Sequence, residues 1–95
     1  MSKTVLITGC SEGGIGHALA LEFQKQGYRV FATARKQSAM TALVENGVET
    51  LEMDVTSVDS LNGVKEEIEK RTGGTLDVLV NNAGQGIFLN LPRRV

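Results

Sequence analysis

Residues 8 to 16 read Thr8-Gly9-Cys10-Ser11-Glu12-Gly13-Gly14-Ile15-Gly16, with four glycines in nine residues, directly after the apolar run Val5-Leu6-Ile7. What such a stretch offers to chemistry is bare backbone. Glycine lets main chain approach a pyrophosphate closely, and it keeps side chains out from between a helix and a sheet. A helix starting at the end of the loop adds unpaired N–H groups and a partial positive charge. The chemistry expected here is phosphate binding. A tight strand-to-helix turn with no ligand is the alternative.

A second group stands about 20 residues further on, where dinucleotide folds commonly carry an Asp or Glu that accepts the ribose hydroxyls. This sequence has Ala34-Arg35-Lys36 there and no acid. A carboxylate would repel a ribose 2′-phosphate, whereas a guanidinium grips one with two charge-assisted hydrogen bonds. Arg35, with Lys36 or Thr33 as helper, argues for NADP(H) as the dinucleotide cofactor. A solvated basic pair after a strand is the alternative.

Residues with acid, base or nucleophile chemistry are few, and each has a blander reading. Cys10 is the one cysteine, so no intrachain disulfide and no cysteine metal cluster can form; it reads as a small packing residue. His17, the one histidine, reads as a surface or hydrogen-bonded residue of the first helical turn. Glu12 could cap that helix. Asp59, Glu66, Glu67 and Glu69 read as a solvated helix face. Tyr28 is the one tyrosine and starts a strand, as a core or rim residue. No catalytic residue and no metal ligand is assigned.

The elements that must position these groups alternate. Thr4 to Ile7 is an apolar run suited to a strand buried on both faces. Ile15 to Gln26 has a helical pattern, with Ile15, Leu19 and Phe23 on one stripe and Gly27 at the C-terminal cap. Tyr28 to Ala34 is rich in β-branched and aromatic residues, as strands are. Ser38 can cap a short helix to Glu45, ended by Asn46-Gly47. Val48 to Val55 is a third strand. Thr56 or Ser57 caps a third helix to Arg71, with Val58, Leu61, Val64 and Ile68 on its apolar face. Gly73-Gly74 breaks the chain and Leu76 to Val80 is a fourth strand. The alternation predicts βαβ units on a parallel sheet with right-handed crossovers.

Taken together, four motifs resemble the short-chain dehydrogenase/reductase family: the glycine loop, Arg35 after the second strand, Asp54-Val55 after the third, and Asn81-Asn82-Ala83-Gly84 after the fourth. The loop departs from the family's Thr-Gly-x-x-x-Gly-x-Gly by one additional residue within Cys10 to Gly13. Its wording is closest to acyl-dihydroxyacetone-phosphate-reductase-like and hydroxysteroid-dehydrogenase-like members. The resemblance covers residues 3 to about 88 and implies a Rossmann-like α/β fold, with parallel strands in the order 3-2-1-4 and flanking helices. It makes residues 1–95 the N-terminal dinucleotide-binding half of a truncated domain, with an atypical tail at 89–95.

The same resemblance places Gly9, Ser11, Gly14, Ile15 and Gly16 at the pyrophosphate, Asp54 and Val55 at the adenine, and Asn82, Ala83 and Gly84 beside the ribose. It implies an oxidoreductase moving hydride between nicotinamide and a carbonyl or alcohol, with a lipid-like or steroid-like substrate allowed. The family's serine and Tyr-x-x-x-Lys fall beyond position 95, so the chain alone is expected to be inactive; a non-catalytic interaction fragment is the other reading. The strand 76–80, interior in the family, would here be an open edge inviting self-association.

Composition adds exclusions. A net charge of −1 with no basic stripe gives no case for nucleic acid. Arg93-Arg94 reads as a solvated tail. No apolar run approaches the ~20 residues of a transmembrane segment, and the cytoplasm is the default location, with peripheral membrane attachment of a longer parent left open.

Overall fold

The computed structural model describes residues 3–54, 56–74 and 76–82. Val55, Ala83, Gly84 and the tail at 89–95 lie outside them. Four strands, β1 (Thr4–Ile7), β2 (Arg29–Ala34), β3 (Glu49–Glu52) and β4 (Val78–Val80), form one sheet in the order β3-β2-β1-β4. Every pairing is parallel, with Leu6 opposite both Phe31 and Leu79. The fold is the expected Rossmann-like α/β arrangement.

Helices α1 (Ile15–Lys25) and α2 (Thr41–Glu45) contribute Ala20 and Leu43 to an apolar layer with Val5, Ile7, Val30 and Ala32. The opposite layer joins Leu6, Phe31 and Leu76 to Val64 and Ile68 of α3 (Val58–Thr72). With both faces covered, all four residues of β1 are buried, which is why that strand is a continuous apolar run rather than an alternating one.

The helix ends are set by glycine. Gly27 has φ of +93°, and its N–H and that of Tyr28 return to the carbonyls of Gln24 and Phe23, each at 3.0 Å. That is a Schellman motif, and its usual apolar contact is the edge-on packing of Tyr28 against Phe23 at 4.9 Å. Tyr28 therefore closes a helix, and β2 begins one residue later than expected. Gly47 repeats the arrangement after α2, with the Val48 N–H on the Leu43 carbonyl at 3.0 Å.

Several expectations are corrected. Ile15 and Val58 are 72% and 71% exposed. Both are the first residue of their helix. The buried stripe of α1 starts at Gly16 and continues at Ala20. Ser38 caps nothing; it lies inside a 3₁₀ turn, Gln37–Met40, that precedes α2. Ser57, not Thr56, caps α3, accepting from the Ser60 N–H at 3.2 Å. β3 is Glu49–Glu52, shorter than the expected 48–55 segment, whose last residue lies outside the described ones; among the described residues it pairs with β2 alone. Glu67 is not simply solvated: it holds Arg71 at 2.7 Å, and Arg71 also reaches Glu49.

Two polar ties fix the sheet ends. Arg29 grips Glu49 across the β2–β3 pair at 2.6 Å and lies 5.0 Å over the Phe31 ring. The Arg29 contact, above all its hydrogen bond, holds the Glu49 carboxyl below its ordinary range. On the other side of the sheet, the Thr4 N–H and hydroxyl both donate to Asp77 Oδ2, at 2.7 and 3.2 Å. A buried carboxylate thus joins the start of β1 to the residue before β4.

Candidate functional site

In a parallel sheet all strands deliver their following loops to one edge. Here that edge gathers Thr8–Gly14 after β1, Arg35-Lys36 after β2, Met53-Asp54 after β3 and Asn81-Asn82 after β4. β1 pairs with β2 on one side and β4 on the other, so the loop after β1 sits where the strand order reverses. Open α/β sheets bind ligands at that crevice.

The glycine loop is held from three directions. The Thr8 N–H donates to the Val80 carbonyl at 3.1 Å, the Cys10 N–H to the Thr33 carbonyl at 2.8 Å, and the Glu12 N–H to the Ala39 carbonyl at 2.8 Å. Asn82 Nδ2 donates to the Gly9 carbonyl at 3.1 Å. Left-handed backbone at Gly9 (φ +70°) and Gly13 (φ +86°) requires glycine. The Gly14 N–H closes a turn onto the Ser11 carbonyl at 3.0 Å, with Gly13 at its third position. This turn absorbs the loop's additional residue: Gly13 serves the turn, and Gly14 is the extended residue before α1.

No side chain caps α1, so the expected capping by Glu12 is not made; Glu12 uses its N–H and leaves its carboxylate in solvent. At Gly16 a Cβ would stand 2.4 Å from the Gly9 carbonyl oxygen and 2.9 Å from Asn82 Nδ2. The helix start is thus pressed on the loop, uncapped, with Ser11 to Ile15 exposed above it. Bare, preorganised N–H groups of this kind suit a phosphate.

Beside the loop a surface cleft of about 480 Å³ is lined by Ser11, Arg35, Lys36, Ala39 and Asp54. Arg35 and Lys36 are exposed. Asp54 accepts from the Thr56 hydroxyl at 2.6 Å and its N–H at 2.9 Å. These bonds, the hydroxyl first, with Arg35 as a smaller contributor, hold the Asp54 carboxyl below its ordinary range. The cleft therefore offers a guanidinium, an ammonium and one carboxylate held by its own hydrogen bonds.

Thr33 does not line this cleft. It is 1% exposed, and its hydroxyl has no hydrogen-bond partner among the described residues; its carbonyl serves the loop instead. Cys10 is fully buried, with burial pushing its thiol up to about 11, in keeping with a packing role. His17 is half-buried, and its Nδ1 is a buried atom without a hydrogen-bond partner among the described residues. The described residues contain no group of three or more His, Cys, Asp or Glu that could hold a metal ion. No helix among them is long and apolar enough to cross a membrane.

The sequence reading missed Gln37, Ala39, Thr50 and Glu52. The Gln37 N–H donates to Glu52 at 2.8 Å, and the Gln37 side chain donates to the Thr50 hydroxyl. These partners lie 13 to 15 residues apart, and only the β2–β3 register, with Ala34 opposite Glu52, brings them together.

A parallel α/β sheet with an uncapped glycine loop at its switch point defines a nucleotide-binding class. Within that class, the short chain dehydrogenase family model matches residues 3–93, and the chain belongs to this family. It is 55% identical over 82 residues to the NADPH-dependent 1-acyldihydroxyacetone phosphate reductase of Schizosaccharomyces pombe, covering 86% of this chain and 28% of that protein. It is 52% identical over 92 residues to short-chain dehydrogenase cctT of Talaromyces islandicus, covering 96% and 32%. The chain spans about a third of the length of these relatives. Among solved structures, a short-chain dehydrogenase from Streptomyces avermitilis superposes with a TM-score of 0.79 at 36% identity, over 90% of this chain and 32% of that one. YwfH, an NADPH-dependent reductase involved in bacilysin biosynthesis, superposes with a TM-score of 0.79 at 27% identity, over 92% and 39%.

Proposed function

We propose that this chain forms the adenosine and pyrophosphate half of an NADP(H) site in an oxidoreductase. The bound nicotinamide supplies or accepts hydride, and the reacting partner is a carbonyl or alcohol. The observation that carries the reading is the placing of Arg35 and Lys36 in one cleft with Ser11, beside the uncapped start of α1. In this reading Gly9, Ser11, Gly14, Ile15 and Gly16 cradle the pyrophosphate, with Gly16 bare so that helix and loop can touch. Arg35 and Lys36 take the 2′-phosphate. Asp54, with Val55 after it, borders the adenine, and Asn82, with Ala83 and Gly84, borders the ribose. Thr33 acts through its carbonyl on the loop. The S. pombe relative, named as an acyldihydroxyacetone phosphate reductase, supports a lipid-like substrate.

The test is Arg35→Ala. NADPH binding is expected to weaken by about 1.5–3 kcal/mol, the range for a hydrogen bond to a charged group, while NADH binding changes little. Equal losses for both cofactors, in a fluorescence titration of the reduced nicotinamide, would make Arg35 structural.

We also infer that chains of these 95 residues self-associate through Val78–Val80. Among the described residues β4 pairs only with β1, and its three residues are half-buried. Such an apolar edge is a template for another strand. Sedimentation velocity is expected to show mass growing with concentration; a monomer throughout the micromolar range would contradict it.

A further inference from the structure

We propose that Glu52 is a positioning residue for the Arg35-Lys36 corner, holding it in the shape that prefers a nucleotide bearing a 2′-phosphate. The proposal rests on the assignment of that corner to the 2′-phosphate.

The corner leaves β2 at Ala34 and enters the 3₁₀ turn at Gln37. Lys36, in the capping position of that turn, is extended (φ −129°, ψ 131°) and gives no side-chain cap. A turn of four residues has little cooperativity of its own, and its leading N–H groups need an acceptor from elsewhere. Glu52 supplies it. The β2–β3 register sets Glu52 opposite Ala34 and Thr50 opposite Ala32, and alternate residues of a strand share a face. Both side chains of that face close on Gln37: the Glu52 carboxylate takes the Gln37 N–H at 2.8 Å, and the Thr50 hydroxyl takes the Gln37 amide.

The far end of the same turn is pinned too, since the Ala39 carbonyl receives the Glu12 N–H at 2.8 Å. The turn therefore bridges edge strand and glycine loop, and Arg35 and Lys36 are carried between two fixed points. Without the Glu52 contact the corner would be anchored by β2, by Ala39 and by the Gln37 side chain on Thr50, but the backbone at the start of the turn would lose its acceptor, so the phosphate would have to supply more of the order of two long cationic side chains. Ordering a loop on binding subtracts from affinity. The carboxylate has a second effect of opposite sign, since its charge opposes a nearby phosphate. Glu52 is exposed, so solvent and salt screen that repulsion and positioning is the dominant contribution.

The two effects separate experimentally. Calorimetric titration with adenosine 2′,5′-bisphosphate and with 5′-AMP isolates the 2′-phosphate contribution. Glu52 is exposed, so its truncation removes no core packing. Glu52→Ala is expected to weaken the bisphosphate about 5- to 10-fold, the equivalent of one ordinary hydrogen bond, and to leave 5′-AMP within about twofold. Glu52→Gln, which keeps an oxygen acceptor for the Gln37 N–H, is expected to restore most of the loss. An unchanged bisphosphate-to-AMP ratio in Glu52→Ala, an equal loss for both nucleotides, or tighter bisphosphate binding by both variants would overturn the proposal. Arg35→Ala run alongside separates the two readings. If it abolishes the preference while Glu52→Ala does not, positioning alone fails; if it keeps the preference, the corner is not the 2′-phosphate site.

Discussion

Gly16→Val is expected to weaken NADPH binding at least 100-fold and to destabilise the fold. A Cβ there would lie 2.4 Å from the Gly9 oxygen and 2.9 Å from the Gly9 carbonyl carbon, and a backbone carbonyl cannot swing aside as a side chain can. Relief requires α1 to withdraw by about 1 Å, and small-to-large changes in a packed site cost about 1–3 kcal/mol or more. The same carbonyl accepts from Asn82, so the displacement also loosens the link between the glycine loop and β4. The N–H groups at the start of α1 would then no longer converge on the pyrophosphate, and each hydrogen bond lost to a charged group costs about 1.5–3 kcal/mol. Neighbouring glycines make the prediction sharper. Nothing lies within 4 Å of a Cβ at Gly13, where only the positive φ opposes a side chain, at about 1–2 kcal/mol. At Gly14 the one close neighbour is the Ser11 oxygen at 3.2 Å. The alanine series is therefore expected to rank Gly16 well above Gly13 and Gly14 in loss of binding. Equal losses at all three would show that the loop tolerates displacement and that helix contact is not what Gly16 serves.

Asp77→Ala is expected to cost about 2–4 kcal/mol of folding stability. It strands the buried Thr4 N–H, which now donates at 2.7 Å, and an unsatisfied buried donor costs about 1–3 kcal/mol beyond the lost charge-assisted bond. Asp77→Asn keeps an oxygen acceptor and is expected to lose about half as much. Denaturant midpoints at constant m-value check this, and an alanine variant within 0.5 kcal/mol of the parent, the margin for inert surface changes, would mean that the Thr4–Asp77 tie is incidental. Against a net stability of about 5–15 kcal/mol for a domain, such a loss is a large fraction.

Much of this architecture was legible in the sequence because its signals are local. Continuous apolar runs marked strands buried on both faces, glycines marked the ends of α1, α2 and α3, and alternation of strand and helix prescribed a parallel sheet. The order of strands came from resemblance rather than from periodicity. What escaped depended on how elements meet. The 3.6-residue stripe includes Ile15 and Val58, yet both are exposed and the buried stripe of α1 runs through Gly16 and Ala20. Ser38 has the composition of a cap but not the position, because Glu52 satisfies the turn from another strand. No spacing rule links Gln37 with Thr50 and Glu52, since parallel register alone sets them side by side. The glycine loop lay between these cases: its glycines were evident, but the division of labour between Gly13 in a turn and Gly14 before the helix needed backbone angles.

In the proposed function, the cationic corner after β2 is what turns a general nucleotide loop into one for NADP(H). Titration of the protein with NADPH and NADH at one ionic strength, followed by fluorescence of the reduced nicotinamide, tests it most directly. A grip on the 2′-phosphate by Arg35 and Lys36 predicts NADPH binding at least 10-fold tighter than NADH, the equivalent of about 1.4 kcal/mol, with the preference shrinking as salt is raised. Equal affinities, or tighter binding of NADH, would contradict the assignment.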